Sequence, residues 1–191
     1  VPIVTRAQPL LAMGRAQVHP PPGAFVQATA EGERTLARLA LEALAGARRV
    51  ADLFSGIGTF ALRLAEHAEV LAVEADHGML DALKRAADGA GGALKQVQVL
   101  RRDLLRTPFS AQEMKKFDGA VLDPPRSGAR LQAEQIARAP IRKLAYVSCD
   151  PGSFARDVRP LIEHGFTLTR VTPVDQFRWS PHVELVGAFE R

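Results

Sequence analysis

Val50-Ala51-Asp52-Leu53-Phe54-Ser55-Gly56-Ile57-Gly58-Thr59-Phe60 is the stretch from which the rest of the chain is read. Val50 to Phe54 reads as a short apolar strand, Gly56 and Gly58 form a Gly-x-Gly turn, and Thr59 to Ala65 continues as a helix. Glycine at such a corner lets the backbone pass close to a ligand, because no Cβ stands in the way. The next apolar run, Glu69 to Ala75, reads as a second strand with Glu74 at its carboxyl end, sixteen residues past Gly58 (74 − 58). A carboxylate there can accept hydrogen bonds from both hydroxyls of a ribose. A lone Gly-x-Gly is often only a tight strand-to-helix corner, but turn and acid within one βαβ unit point to a nucleoside ligand. The third glycine of a dinucleotide turn is missing and Thr59 opens the helix, which favours adenosine attached to something smaller.

Outward from this unit, strand and helix keep alternating. Thr35, Leu36, Leu39, Ala40, Ala43 and Leu44 recur at helical spacing before the first strand, with Gly46 as a stop. Leu80, Leu83 and Ala87 carry a helix that ends at the glycine-rich 88–92 segment, and Val97 to Leu100 is a third strand. A short helix over 110–116 precedes a fourth strand, 118–123, and a helix over 132–138 precedes a fifth, 144–149. Asp150-Pro151 reads as an N-cap followed by proline at the first helical position, starting a helix that runs to about His164. Strands over 167–171 and 183–189 close the chain. At least five alternations argue for a doubly wound, mostly parallel α/β sheet with helices on both faces. Residues 1–28, with His19-Pro20-Pro21-Pro22-Gly23, read as a strand or two and a rigid loop ahead of the main domain, 29–191.

Composition bounds the function classes. A chain of 191 residues, 47% hydrophobic and 24% charged, suits one domain with a real core. A net charge of +4 and a pI near 9.7 in a chain with a nucleoside site favour a polyanionic partner, although a merely basic surface explains the charge equally well. The single cysteine excludes an internal disulfide and any cysteine-built metal or iron-sulfur site in this segment, and points to a reducing, cytoplasmic setting. No leader pattern and no apolar run approaching eighteen residues occurs, so neither a signal peptide nor a membrane span is expected. The chain begins at Val1 and reads as a piece of a longer protein.

In a doubly wound sheet, ligands bind beyond the carboxyl ends of the strands. Gly56 and Gly58, Glu74, Asp103, Asp123 and Cys149 fall after five successive strands there, too regular a register for loop composition. Asp123-Pro124-Pro125-Arg126 sets an acid on a stiff turn that fixes its position at little further entropy cost, although a helix-capping Asp reads the same way alone. Cys149 precedes a helix N-terminus, whose exposed N–H groups and dipole favour a thiolate, while Asp150 opposes that shift. Buried packing is its other reading. Glu184 opens an otherwise apolar strand and needs a partner or a task if buried, whereas on an exposed edge it needs neither.

With those residues on the page, the sequence resembles the S-adenosylmethionine-dependent RNA uracil-5 methyltransferases from about Gly23 to Arg191. The matching pieces are Phe25-Val26-Gln27, Asp52 to Gly58, Val73-Glu74, Asp123 to Gly128, Val147-Ser148-Cys149-Asp150-Pro151 and His182-Val183-Glu184. The last three, spaced by 26 (149 − 123) and 35 (184 − 149), are the specific ones. The resemblance implies a class I, Rossmann-like methyltransferase sheet with an antiparallel C-terminal strand. It implies Cys149 as nucleophile, Glu184 as base, and Gln27, Phe54, Gly56, Thr59, Glu74, Asp103 and Asp123 around S-adenosyl-L-methionine; some members of the family carry a cysteine-bound cluster, but with its single cysteine no metal is expected in this segment. The family usually has Asn where Thr59 stands, and a hydroxyl can replace one amide contact. Asp150-Pro151-Gly152 also departs from its pattern. The implied substrate is a loop or single-stranded uridine of tRNA or rRNA, and Arg126, with Arg130, Arg156, Arg159 and Arg178, is a candidate to hold phosphates.

Two other classes stay open. An RNA cytosine-5 methyltransferase also uses a cysteine at this strand end, but resembles Asp-Ala-Pro-Cys after its fourth strand, where this chain has Pro125 and Arg126. A catalytically silent RNA-binding module of the same fold lacks Cys149 or Glu184, and both are present.

Overall fold

The computed structural model describes residues 7–177, 179, 180 and 182–191. A hairpin, β1 (Leu11–Met13) and β2 (Ala16–Val18), precedes α1 (Ala30–Ala43). The nucleoside-type unit follows as β3 (Arg49–Leu53), α2 (Ala61–Leu64) and β4 (Glu69–Glu74). Then come α3 (His77–Asp88), β5 (Val97–Arg101), a 3₁₀ turn over Glu113–Lys116, β6 (Gly119–Leu122) and α4 (Arg130–Arg138). β7 (Lys143–Ser148), α5 (Pro151–Glu163), β8 (Thr167–Val174) and β9 (Glu184–Glu190) complete the chain.

One seven-stranded sheet runs β5-β4-β3-β6-β7-β9-β8. β5, β4, β3, β6 and β7 pair in parallel, and β9 inserts antiparallel between β7 and β8. The inner strands β4, β3, β6, β7 and β9 are buried on both faces and mostly apolar, so there the two-residue period only sorts side chains between faces, whereas the edge strands β5 and β8 carry exposed positions. Val50, Val70, Val121, Val147 and Val186 pack beneath α1, α2 and α3, and the side chains Met13, Ala16 and Val18 of the hairpin join that core. Ala51, Leu53, Leu122, Leu144 and Tyr146 pack beneath α4 and α5.

The first helix of the nucleoside unit is shorter than the sequence pattern suggests. α2 holds only Ala61–Leu64, because Ser55 to Phe60 are spent in turns about Gly56 and Gly58. The β6 strand leaves β3 on the side opposite β4, so the strand order reverses at β3. The crevice of such a sheet opens at that reversal, directly over the Gly56 turn. No described helix is long and apolar enough to cross a membrane.

Candidate active site

The Gly56 turn is held by its neighbours. Phe54 takes φ 65°, a left-handed conformation unusual for a residue with a side chain. It is kept there because the Phe54 and Ser55 N–H groups both donate to the Val73 carbonyl, at 3.0 and 3.1 Å. Gly56 has φ 56°, and a Cβ built on it meets nothing within 4 Å, so that side of the turn faces open space. Gly58, at φ 100°, is enclosed instead: its Cβ would stand 2.9 Å from both Leu62 Cγ and Leu83 Cγ. Glu74 holds the turn from the next strand. Its Oε2 accepts from Gly56 N–H at 3.1 Å, and its Oε1 from Ala75 and Asp76 N–H at 2.7 and 3.0 Å.

Beneath this turn lies a residue whose role the sequence reading left open. Asp52 is fully buried near the end of β3, and neither of its carboxylate oxygens has a hydrogen-bond partner among the described residues. Burial, and after it the nearby Glu74 charge, push its pKa up to about 7. The buried Ser55 hydroxyl is likewise without a partner among the described residues. A carboxylate inside an otherwise apolar strand was the available signal.

Asp123 follows β6, with its N–H on the Leu53 carbonyl at 3.3 Å. Its carboxyl is held well above the usual range by burial, then by Glu184 and Asp52. Cys149 follows β7 and is half-buried. β7 and β9 are antiparallel with Ser148 opposite Leu185, so one further step of that register sets Cys149 against Glu184. Residues directly opposite on antiparallel strands put their side chains on the same face. The electrostatics agree: burial raises the Cys149 pKa, Glu184 and Asp123 raise it further, and Arg126 lowers it. Asp150 is occupied as the N-cap of α5, accepting from Ser153 N–H at 2.7 Å.

Glu184 is buried, and burial lifts its pKa while the side chain of Gln176 pulls it back. Gln176 was not singled out from the sequence. Its Nε2 donates to Gln27 Oε1 at 2.7 Å, tying the residue expected beside the donor to the strand end that carries Glu184. Two of the expected contacts sit at the rim. Asp103 is exposed and accepts from Leu105 and Arg106 N–H, and the half-buried Thr59 makes no side-chain hydrogen bond among the described residues.

The arginines divide. Arg126 is exposed, has no ion-pair partner among the described residues, and is the one whose charge reaches Cys149. Arg130 pairs with Glu134 at 3.1 Å. Arg156 holds structure: Nε donates to Asp157 Oδ1 and Nη2 to the Ser127 carbonyl, both at 2.7 Å. Asp157, fully buried, also accepts from Ala129 N–H at 2.6 Å and from the Tyr146 hydroxyl at 2.8 Å. This network pins the turn after Asp123 onto α5. Its signal was an acid on the apolar face of α5, between Phe154 and Leu161. Arg159 is exposed, and Arg178 lies outside the described residues.

Asp52, Asp123, Glu184 and Glu74 thus crowd one crevice, each acting on the next. Such a group disfavours a further anion and suits a ligand with a positive centre. The orphaned oxygens of Asp52 and Ser55 and the open side of Gly56 fit a nucleoside with a cationic tail. Among the described residues no three His, Cys, Asp or Glu side chains are grouped to hold a metal ion.

Known proteins resemble this chain along nearly its whole length. The sequence model of the tRNA (uracil-5-)-methyltransferase family matches residues 14–190. A Caulobacter vibrioides protein called an uncharacterized RNA methyltransferase is 50% identical over 184 residues, 96% of this chain and 44% of its own. The Pseudomonas putida 23S rRNA (uracil(1939)-C(5))-methyltransferase is 39% identical over 88% of this chain and 38% of its own. The Pyrococcus abyssi tRNA (uracil-54, C5)-methyltransferase, solved with S-adenosyl-L-homocysteine, superposes with a TM-score of 0.82 at 25% identity, covering 95% of this chain and 44% of that one. The chain spans less than half the length of these relatives.

Proposed function

The chain belongs to the tRNA (uracil-5-)-methyltransferase family, and from that premise we propose that it transfers a methyl group from S-adenosylmethionine to carbon 5 of a uridine in tRNA or rRNA. The observation that supports the proposal is the β7–β9 register, whose continuation one step past Ser148–Leu185 pairs Cys149 with Glu184, in agreement with the effect of the Glu184 charge on the thiol.

Bound S-adenosylmethionine supplies an electrophilic methyl on a cationic sulfur. In this reading Gly56 gives it close approach, Glu74 takes the ribose hydroxyls, Asp103 and Thr59 edge the adenosine, and Asp52, Asp123, Phe54 and Gln27 surround the remainder. Carbon 5 of uracil is a poor nucleophile until something adds at carbon 6. The Cys149 thiolate forms a bond to carbon 6, and the electrons of the 5,6 double bond move to give an enolate. Carbon 5 then takes the methyl group as the methyl–sulfur bond breaks, its electron pair staying on the sulfur, which leaves as a neutral thioether. Glu184 removes the proton left on carbon 5, the double bond re-forms, and the carbon-sulfur bond breaks to return the thiolate. This is covalent catalysis completed by a general base.

The electrostatics support that division of labour. Burial, and after it the Glu184 and Asp123 charges, push the Cys149 pKa up and so disfavour the thiolate. Neutralising the acidic crevice, as a cationic ligand does, makes the thiolate less costly. Glu184 is raised toward neutrality by its burial, as suits a base that must hand its proton on. The target base has to leave its stack to reach such a crevice, which is cheapest in a loop, and Arg126 is available at the rim to meet a phosphate.

The test uses the intact protein, labelled S-adenosylmethionine and total RNA from cells lacking the gene. Cys149→Ala abolishes methyl transfer with donor affinity by calorimetry unchanged. Glu184→Gln accumulates a covalent protein-RNA adduct on denaturing gels. Equal loss of transfer and donor binding in Cys149→Ala would contradict the assigned nucleophile.

A further inference from the structure

We propose that Arg63 is a positioning residue for the methyl donor: from α2 its guanidinium holds the Thr59 carbonyl, at the exit of the Gly56–Gly58 turn, in fixed relation to α1 and to the β1–β2 hairpin. The inference rests on reading that turn as the S-adenosylmethionine site.

The turn leads into a helix that by itself does little to fix it. α2 has four residues, and its N-cap position holds Phe60, which has no side-chain acceptor for the exposed N–H groups. Leu62 N–H reaches the Gly58 carbonyl at 3.1 Å, and Leu64 N–H the Phe60 carbonyl at 2.9 Å. The Thr59 carbonyl between them is taken by a side chain: Arg63 Nη1 donates to it at 2.7 Å. The other arm of the fork, Nη2, donates to Glu33 Oε1 of α1 at 2.7 Å and to the Ala12 carbonyl of β1 at 3.4 Å. One guanidinium thus joins three acceptors that stand 4, 30 and 51 residues away in the chain.

Burial gives the arrangement its strength. The Arg63 and Glu33 side chains are only 11% and 14% exposed, so water competes weakly for these charge-assisted bonds. A guanidinium suits the task because its donors leave one rigid plane in fixed directions. Glu66, three residues further on, adds a second tie to the hairpin. Its Oε1 accepts from Arg15 N–H at 3.1 Å, and a Cβ on Gly14 would overlap that oxygen. Hairpin and α1 therefore hold α2 in place, while the turn stays open at Gly56. Ion pairs out of water are often replaceable by apolar residues without loss of stability, which allows the hold to be removed from a folded protein.

The test compares Glu33→Gln, the double variant Glu33→Gln/Arg63→Met and Gly56→Ala with the intact wild-type protein. Glutamine keeps an acceptor for Nη2, and methionine fills the space of the arginine stem without a donor, so the double variant leaves no buried charge unpaired. S-Adenosylhomocysteine affinity is read by calorimetry at a temperature where every variant is folded, beside hydrogen exchange of the 54–62 segment. Glu33→Gln is expected to bind as wild type. The double variant is expected to bind about 3- to 10-fold more weakly, the cost of re-ordering a loosened turn on binding, with faster exchange confined to 54–62. In methyl transfer to total RNA from cells lacking the gene, its KM for the donor rises by the same factor and kcat is kept. If Gly56→Ala weakens binding while the double variant binds as wild type, the donor site stands and Arg63 is packing, which overturns the proposal. Faster exchange spread over the whole sheet, an equal loss in Glu33→Gln alone, or a fall in kcat with KM unchanged also overturns it. If neither Gly56→Ala nor the double variant weakens binding, the donor assignment falls and this proposal falls with it.

Discussion

The two glycines of the turn separate binding from stability, and alanine at each measures the difference. At Gly58 the left-handed backbone, φ 100°, costs a side-chain-bearing residue about 1–2 kcal/mol. The Cβ, 2.9 Å from Leu62 Cγ and Leu83 Cγ, adds an overpacking cost of about 1–3 kcal/mol. Together these give about 2–5 kcal/mol, and at about 2–4 °C per kcal/mol for a domain of this size, a fall in Tm of about 4–20 °C. At Gly56 the backbone cost is similar, about 1–2 kcal/mol, but the Cβ meets nothing, so the fall is only about 2–8 °C. That Cβ enters the space assigned to the donor, and an overpacking cost there of about 1–3 kcal/mol weakens binding about 5- to 150-fold. Thermal melts followed by circular dichroism, and calorimetric titration with S-adenosylhomocysteine at a temperature where both variants are folded, read the two effects separately. A Gly56→Ala variant that binds as wild type refutes the placement of the ligand. A Gly58→Ala variant that melts as high as Gly56→Ala refutes the packing argument.

Two further outcomes follow from buried groups. Asp52 has a folded pKa of about 7 against about 3.9 unfolded, so the folded state binds its proton more tightly. Its contribution is fully present below about pH 4 and is lost as pH rises through 7, by about 4 kcal/mol at 1.36 kcal/mol per pKa unit. Asp123 and Glu184 act in the same direction, so the readout is the difference between wild type and Asp52→Asn in urea midpoints from pH 4.5 to 8: parallel curves contradict it. Tyr146→Phe removes one of three donors from the buried Asp157 carboxylate and should cost about 1.5–3 kcal/mol in urea unfolding. No change would mean that the network does not hold the turn after Asp123.

The sequence alone determined the alternation of strands and helices, the Gly-x-Gly turn with Glu74 on the next strand, and the Cys149 and Glu184 motifs. Each is written in residues a few positions apart, where backbone sterics and two- or 3.6-residue periods act. Helix extent was less legible, since Thr59 and Phe60 look helical by side chain but still belong to the turns that follow the left-handed Gly56 and Gly58. Only the tertiary structure decided which polar groups meet. Gln176 touches Gln27 from 149 residues away and Asp157 holds Ala129 from 28, contacts that no local pattern encodes. The register of β9 against β7 was likewise outside the reach of sequence. It is fixed by what each face of the strand meets, because a slip of one residue would set Val186 and Ala188 where Leu185 and Phe189 pack and turn Glu184 to the opposite face.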